Sequence, residues 1–272
     1  MKKIMLLLLC TAMLFTGCKK HEPTEKTILG WWTPYYFMPE KLNGKVKVVK
    51  EQNYWAVYEN GQIIKGELIA ASEKKNIGWT DDFDALFDEQ GQILKCDLLN
   101  TQGITSGSWL ITLDEGIPTI ATWQEHDSVT TTVAIKTDKK GNIVETNFYS
   151  GTSKELLYRT DWVYAKNNEF IRAIWYDTQG KLTKNNRYTW NSDEQVTEIE
   201  SYTGADSLVV KFSIAYNKKG FSKKQERIAP NGQALKKVMI KYEYDENLNW
   251  IRAVFFEDEK PLAVAERTYE YY

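Results

Sequence analysis

A short polar turn returns about every 26 residues along most of this chain. One series runs Tyr58-Glu59-Asn60-Gly61, Phe87-Asp88-Glu89-Gln90-Gly91, Leu113-Asp114-Glu115-Gly116 and Thr137-Asp138-Lys139-Lys140-Gly141, then continues from Tyr164, Trp190, Tyr216 and Tyr244. A second series lies between these turns, at Leu99-Asn100-Thr101-Gln102-Gly103, Trp123, Tyr149, Tyr176-Asp177-Thr178-Gln179-Gly180, Tyr202, Ala229-Pro230-Asn231-Gly232 and Phe256. Two turns per period imply two strands per period, so the repeating unit is a hairpin. The motif Trp162-Val163-Tyr164 with Phe170-Ile171-Arg172-Ala173 returns as Tyr242-Glu243-Tyr244 with Trp250-Ile251-Arg252-Ala253.

Between turns the apolar residues alternate, as on a strand with one buried face. Val210, Phe212, Ile214 and Tyr216 share a parity, and Lys211 and Ser213 take the other. The same count predicts a common face carrying Val238, Ile240, Tyr242 and Tyr244; Tyr188 and Trp190; Trp162 and Tyr164; Val133 and Ile135; and Phe83, Ala85 and Phe87. A long helical period is missing. The expected fold is all-β with little helix: a repetitive antiparallel meander of about eight two-stranded hairpin repeats, period about 26–27. Roughly sixteen to eighteen strands exceed what an open sheet tolerates, so the sheet is expected to roll or spiral.

The chain begins differently. Lys2 and Lys3 precede an apolar run from Ile4 to Phe15, which is shorter than the ~20 residues of a spanning helix and fits an export signal. The run ends in Leu14-Phe15-Thr16-Gly17-Cys18, which resembles a bacterial lipoprotein signal peptide, with Phe15 bulkier than that family favours. The resemblance implies cleavage after Gly17 and acylation of Cys18. The expected organisation is a leader over 1–17, lipidated Cys18 with a tether over 18–28, and one hairpin-repeat domain over 29–272. The residues after Cys18, Lys19-Lys20-His21-Glu22, lack the signals that such lipoproteins use for inner-membrane retention or surface export. The expected address is the outer membrane, facing the periplasm, with the cell surface as the other option.

The turns themselves resemble a second family. Tyr176-Asp177-Thr178-Gln179-Gly180-Lys181-Leu182 and Tyr216-Asn217-Lys218-Lys219-Gly220-Phe221 are similar to the tyrosine-aspartate (YD) repeat of Rhs-type proteins, and Glu59-Asn60-Gly61-Gln62-Ile63 is closer to a MORN-type hairpin. Many copies are degenerate, with Trp190 or Thr137 in place of Tyr. Together the resemblances suggest a Bacteroidetes-type lipoprotein with degenerate repeats. They imply an architecture and no catalytic residue.

Composition narrows the chemistry. Lys plus Arg is 35 against 37 Asp plus Glu, a net charge of -2, which is not the basic footprint of a nucleic-acid binder. Two His and three Cys offer little for a zinc site, a triad or a disulfide framework. No cofactor and no metal are expected. His126, within Gln124-Glu125-His126-Asp127-Ser128, sits among neighbours that point to opposite strand faces and reads as a polar turn. Asp81, Asp82, Asp84 and Asp88 lack calcium-loop spacing and read as a solvated strand face plus a turn. Asp258 and Glu259 are turn neighbours and show no cleft between two acids. Cys96, between Leu94 and Leu98, reads as a small buried residue.

The aromatic residues are the surplus: 10 Trp, 16 Tyr and 10 Phe. Most fit a core of cross-strand pairs. Trp55, Trp109 and Trp175 are read on the opposite parity, and Trp31 and Trp32 lie near the tether, so these five are the candidate binding aromatics. The expected function is a non-enzymatic envelope lipoprotein, held to the membrane through Cys18, whose repeat scaffold binds or supports another macromolecule. The alternative is a glycan-binding lipoprotein that uses exposed Trp and Tyr.

Overall fold

A computed structural model describes residues 27–29, 40–70, 73–74, 82–167 and 169–272. Cys18, Trp31 and Trp32 lie outside the described residues, as does Asp81. Two short strands, β1 (Thr27–Leu29) and β2 (Glu40–Leu42), pair with each other. The main sheet comprises β3 (Val46–Glu59), β4 (Gln62–Leu68), β5 (Asp82–Phe87), β6 (Ile93–Leu99), β7 (Thr105–Asp114), β8 (Ile117–Glu125), β9 (Ser128–Thr137) and β10 (Ile143–Ser150). It continues through β11 (Leu156–Tyr164), β12 (Phe170–Tyr176), β13 (Leu182–Trp190), β14 (Val196–Thr203), β15 (Leu208–Tyr216), β16 (Ser222–Ile228), β17 (Ala234–Tyr244), β18 (Trp250–Glu257) and β19 (Lys260–Tyr271).

The expectation of a rolled or spiralled hairpin-repeat sheet is corrected at this point, because the sheet closes into a barrel. From β5 to β19 each strand pairs antiparallel with the next, and β19 then pairs with β3 from Ala263↔Trp55 to Tyr271↔Val46. The first half of β3 pairs with β5, through Val48↔Leu86 to Glu51↔Phe83, which completes a ring of sixteen strands, β3 and β5 to β19. A closed ring leaves no edge in its wall, so every strand spends its backbone groups on two neighbours.

One turn design recurs at both rims. Oδ1 of Asp88, Asp138, Asp177, Asn191 and Asn217 each accepts from the backbone N–H groups two and four residues on, as Asp177 does from Gln179 (3.0 Å) and Lys181 (2.9 Å). The fourth turn position needs positive φ. Gly180 holds it at 77°, and Glu194 and Leu248 occupy it at 57° and 65° where no glycine is present. Asp177 belongs to the far rim; the turns after Phe87, Thr137, Tyr164, Trp190, Tyr216 and Tyr244 form the near rim.

At the near rim a ring-bearing side chain fastens successive hairpins. Tyr164 Oη donates to the Ile143 carbonyl (3.0 Å), Trp190 Nε1 to Phe170 (2.7 Å), Tyr216 Oη to Val196 (2.7 Å), Tyr242 Oη to Ser222 (2.6 Å) and Tyr269 Oη to Trp250 (3.0 Å). Each acceptor lies at the start of the preceding strand, beside a β-bulge. Tyr164 opposes Phe170 while Val163 opposes Arg172, so Ile171 is the extra residue. Register shifts of this kind accompany the hairpins at both rims.

The wall is apolar inside and mixed outside, with ion pairs set among scattered apolar residues. In β17, Val238 and Ile240 are buried, and between them Met239 is 38% exposed with Lys237 and Lys241 beside it. Inward residues form clusters of neighbouring strands, one containing Phe83, Phe87, Trp109 and Phe148, another Phe170, Tyr188, Val196 and Ile214. Each fully buried Phe contributes about 1.5–3 kcal/mol of transfer free energy. Outside, Lys95–Asp97, Arg159–Asp161, Lys211–Glu198 and Lys224–Glu226 pair at mid-height on the wall.

Candidate functional site: the closure seam

The β19–β3 and β3–β5 pairs are the places in the ring that no simple hairpin turn joins, and buried charges gather there. Arg267 on β19 stands directly opposite Glu51 on β3, its Nε donating to Oε2 at 2.8 Å, with the two side chains 4% and 7% exposed. The guanidinium lies 3.9 Å from the Trp250 ring centroid. Oε1 of Glu51 accepts from Asn53 Nδ2, which also donates to Asp82 Oδ1 at 2.9 Å. The same Asp82 oxygen takes the Asn53 backbone N–H (2.8 Å) and Lys74 Nζ (2.5 Å).

Two cations and two anions are thus held together in a chain from β19 to β5, and the set is neutral. Burying four charges is tolerated only because each carries a partner and further hydrogen bonds. Oδ2 of Asp82 has no hydrogen-bond partner. Reading Asp82 as part of a solvated strand face is therefore corrected: it is 1% exposed and ties β5 to β3. Asp84, next on the outer face, has its carboxyl pushed above the usual range by burial, with Lys50 acting in the opposite direction. Asp88 serves its turn.

At the near rim a second network fastens the seam. Asn249 is fully buried, and its Nδ2 donates to the Asn43 carbonyl (2.8 Å) and to Tyr271 Oη (2.9 Å). Its Oδ1 accepts the Asn43 N–H at 2.8 Å. Tyr271 Oη donates to Asp245 Oδ2 (2.7 Å), and its phenol is raised, first by burial and then by that carboxylate.

Outside the seam, the second half of β3 and β4 form a hairpin that folds back over the outer wall. Arg252 on β18 donates from Nη2 to the Ile63 carbonyl at 2.6 Å and from Nη1 to Glu243 at 2.6 Å. Lys65 Nζ reaches Glu266 on β19 at 2.5 Å and lies over the Tyr54 ring. Tyr54, Val264 and Val254 share one outward row, yet Val264 and Val254 are 0% and 8% exposed. Beside the hairpin lies an open groove of about 590 Å³, lined by Glu243, Asp245, Ile251, Arg252, Glu266 and Thr268 among others.

The three Trp expected on an outer face sit elsewhere. Trp109 is 6% exposed, on the row of Ile111, and tilts against Trp123 at 5.4 Å. Trp175 packs against the inner cluster around Phe170, with Lys184 Nζ 4.8 Å from its ring. Trp55 opposes Ala263, which is fully buried on the inner side. For Trp175 the reason is the bulge at Ile171, which reverses the parity counted from Phe170. Trp55 continues the inward row of Val49, Glu51 and Asn53, because the Tyr58 turn, from which its parity is counted, belongs to the β3–β4 hairpin and not to the wall.

His126 and Asp127 are turn residues with φ of 48° and 63°, and Asp258 and Glu259 are likewise turn residues at 48° and 65°. Neither pair converges on a cleft. Cys96 is buried at 3% exposure, its thiol pushed up to about 12 by burial. Among the described residues no three His, Cys, Asp or Glu side chains gather as a metal site. Sequence reasoning missed the Glu51–Asn53–Asp82–Arg267 network, since Arg267 lies 216 residues from Glu51 and Asp82 lies 29 from Asn53; alternating polar residues in β3 were the local trace.

No protein-family model matches the chain, and no curated protein does. Solved structures do match. A porin-like protein from Bacteroides uniformis aligns with a TM-score of 0.54 at 8% identity, covering 83% of this chain and 96% of its own. A porin-like protein from Bacteroides vulgatus aligns at 0.48 and 12% identity, covering 84% and 99%. The Photorhabdus luminescens Tc holotoxin pore aligns at 0.31 and 11% identity, covering 83% of this chain and 12% of that one. The first of these shares the fold of this chain.

Proposed function

We propose that this protein is a non-enzymatic lipoprotein of the cell envelope, in which the barrel stands in water on a lipidated Cys18 and binds or supports another macromolecule through its wall. The observation that carries this reading is the sidedness of the wall. A membrane-spanning barrel presents an apolar band of about 25 Å to lipid, and each Lys or Arg at mid-depth costs about 2–4 kcal/mol. Here the mid-height outer face carries Lys95, Asp97, Arg159, Asp161, Lys211 and Glu198 in ion pairs, which interrupt the scattered exposed apolar residues such as Val163 and Met239, while Phe83, Phe87 and the other large buried side chains face inward. Such a wall favours water, so attachment to a membrane falls to the acyl chains on the amino-terminal Cys, at about 0.8 kcal/mol per buried methylene.

The test is fractionation of cells expressing the full chain or Cys18→Ser. The wild type should label with palmitate and stay with membranes through alkaline carbonate extraction until detergent is added. Cys18→Ser should lose the label and move to the soluble fraction. Retention of Cys18→Ser in carbonate-washed membranes would show that the wall itself sits in lipid and would end this reading. Crosslinking on native membranes then asks whether a specific macromolecule is held.

A further inference from the structure

The ring has one hairpin that does not continue the wall, and its contacts are unlike those of the others. Near-rim donors such as Tyr216 reach an adjacent strand and are part-buried. The β3–β4 hairpin instead crosses to strands about 190 and 200 residues away, and the polar side-chain contacts that fasten it there among the described residues are Arg252 to the Ile63 carbonyl and Lys65 to Glu266, the latter pair 49% and 33% exposed. Below it lies the outward row of Val264 and Val254, apolar and 0% and 8% exposed, where outward apolar residues elsewhere, such as Val163 and Met239, are about 40% exposed. Its own outer face carries Val57, Tyr58 and Ile64 at 42%, 69% and 37% exposure. At the bend, Gly66 leaves no room for a side chain: a Cβ there would come within 2.6 Å of Val57 Cγ2 and 3.1 Å of the Trp55 carbonyl.

We propose that the β3–β4 hairpin is a latched strap over the outer wall, held by Arg252 and Lys65, whose release uncovers the apolar Val254–Val264 row beside the groove. The energetics follow from the contacts. Exposed ion pairs hold weakly and are screened by salt. A strap fastened by one exposed ion pair and one part-buried hydrogen bond from Arg252 opens more often than strands bonded on both sides, which open only near the global free energy. The strap shares the β19–β3 seam with the wall but none of its buried charges, so it lifts without breaking the ring. Gly66, beside the register shift between Tyr54 and Ala56, is where the backbone absorbs the change.

The experiment uses the full chain carrying Val264→Cys, with and without Arg252→Gln and Glu266→Gln, and reads thiol labelling at position 264 by peptide mass spectrometry. Labelling should be slow with the latch intact, and roughly threefold to tenfold faster in the latch variant or at high salt. Cys96, buried in the inner wall, is the internal control and should stay unlabelled throughout. Because Val264→Cys changes a fully buried position, hydrogen exchange is measured in parallel on chains without it: amides 57–67 should exchange faster in the latch variant, with β11–β16 unchanged. Equal labelling in both chains, Cys96 labelling in step with 264, or strap amides as protected as β15 would each overturn the proposal.

Discussion

The hairpin wall from β11 to β18 and the closure seam at β19–β3–β5 solve the same problem, holding neighbouring strands in register, by opposite means. The wall uses local devices repeated at almost constant spacing: an Asp or Asn that organises its own turn, a bulge, and a Tyr or Trp that donates to the preceding strand. Each device joins residues about 4 or 20 positions apart. At β19–β3 the seam joins residues more than 200 apart and has no turn to set its register, so complementary charges do it: Arg267 meets Glu51 only if β19 and β3 pair correctly, since a slip by one residue would turn both to the other face. Repetition makes each wall device replaceable. The seam network occurs once and is buried, so it is where the ring is most easily broken.

The largest effect should therefore follow from Arg267→Ala, which leaves Glu51 buried and unpaired at a cost of about 3–5 kcal/mol. Equilibrium denaturation should show it. Arg267→Met combined with Glu51→Gln should recover much of that loss, because the buried charge is then gone. Full additivity of the two single changes would refute the idea that the pair acts as a unit.

A wall device should cost less. Tyr216→Phe removes one hydrogen bond to the Val196 carbonyl and should destabilise by about 1 kcal/mol. Trp190→Phe should behave similarly at Phe170. A loss at either site as large as that at Arg267 would erase the distinction between the two regions. Smaller again is Asp177→Asn, since Asn191 and Asn217 already fill that role; it should be nearly neutral, with Asp177→Ala costing on the order of 1 kcal/mol through two stranded N–H groups.

The smallest effects separate the regions by pH. Asp138, in a wall turn, has its carboxyl held below the usual range by Asn142 and further backbone donors, and Asp84, beside the seam, is raised by burial. A depressed carboxyl contributes stability that is present above the unfolded value near ~4 and is lost as pH falls through the folded value. Asp84 has the opposite sign: its burial penalty eases as pH falls and the group protonates. NMR titration of the side-chain carboxyls should place Asp138 below and Asp84 above a model Asp, and the reverse order would overturn both assignments.

The wall was readable in the sequence because its devices are local. Turn spacing located most of its hairpins, and alternation placed Val238, Ile240 and Ile214 on the buried face. Bulges defeated the same alternation at Trp175, where one extra residue, Ile171, exchanges inside for outside without changing the composition of the strand. Closure was hidden for a different reason. Nothing in Val46–Glu59 specifies that its partner lies at Lys260–Tyr271, and a hairpin repeat of this period suits a spiral as well as a ring. The seam charges were unreadable as a site because Glu51, Asn53 and Asp82 have meaning only once the ends of the ring meet.

The entry of β3 at Lys45, stitched to the 245–249 turn through Asn43 and Asn249, has a consequence for how the molecule stands. The chain therefore enters the ring at the tyrosine-fastened rim. Anything that tethers this protein from its amino-terminal side would turn that rim toward the supporting surface and direct the opposite opening, with the Asp177 and Asp206 turns around it, away into the surrounding medium.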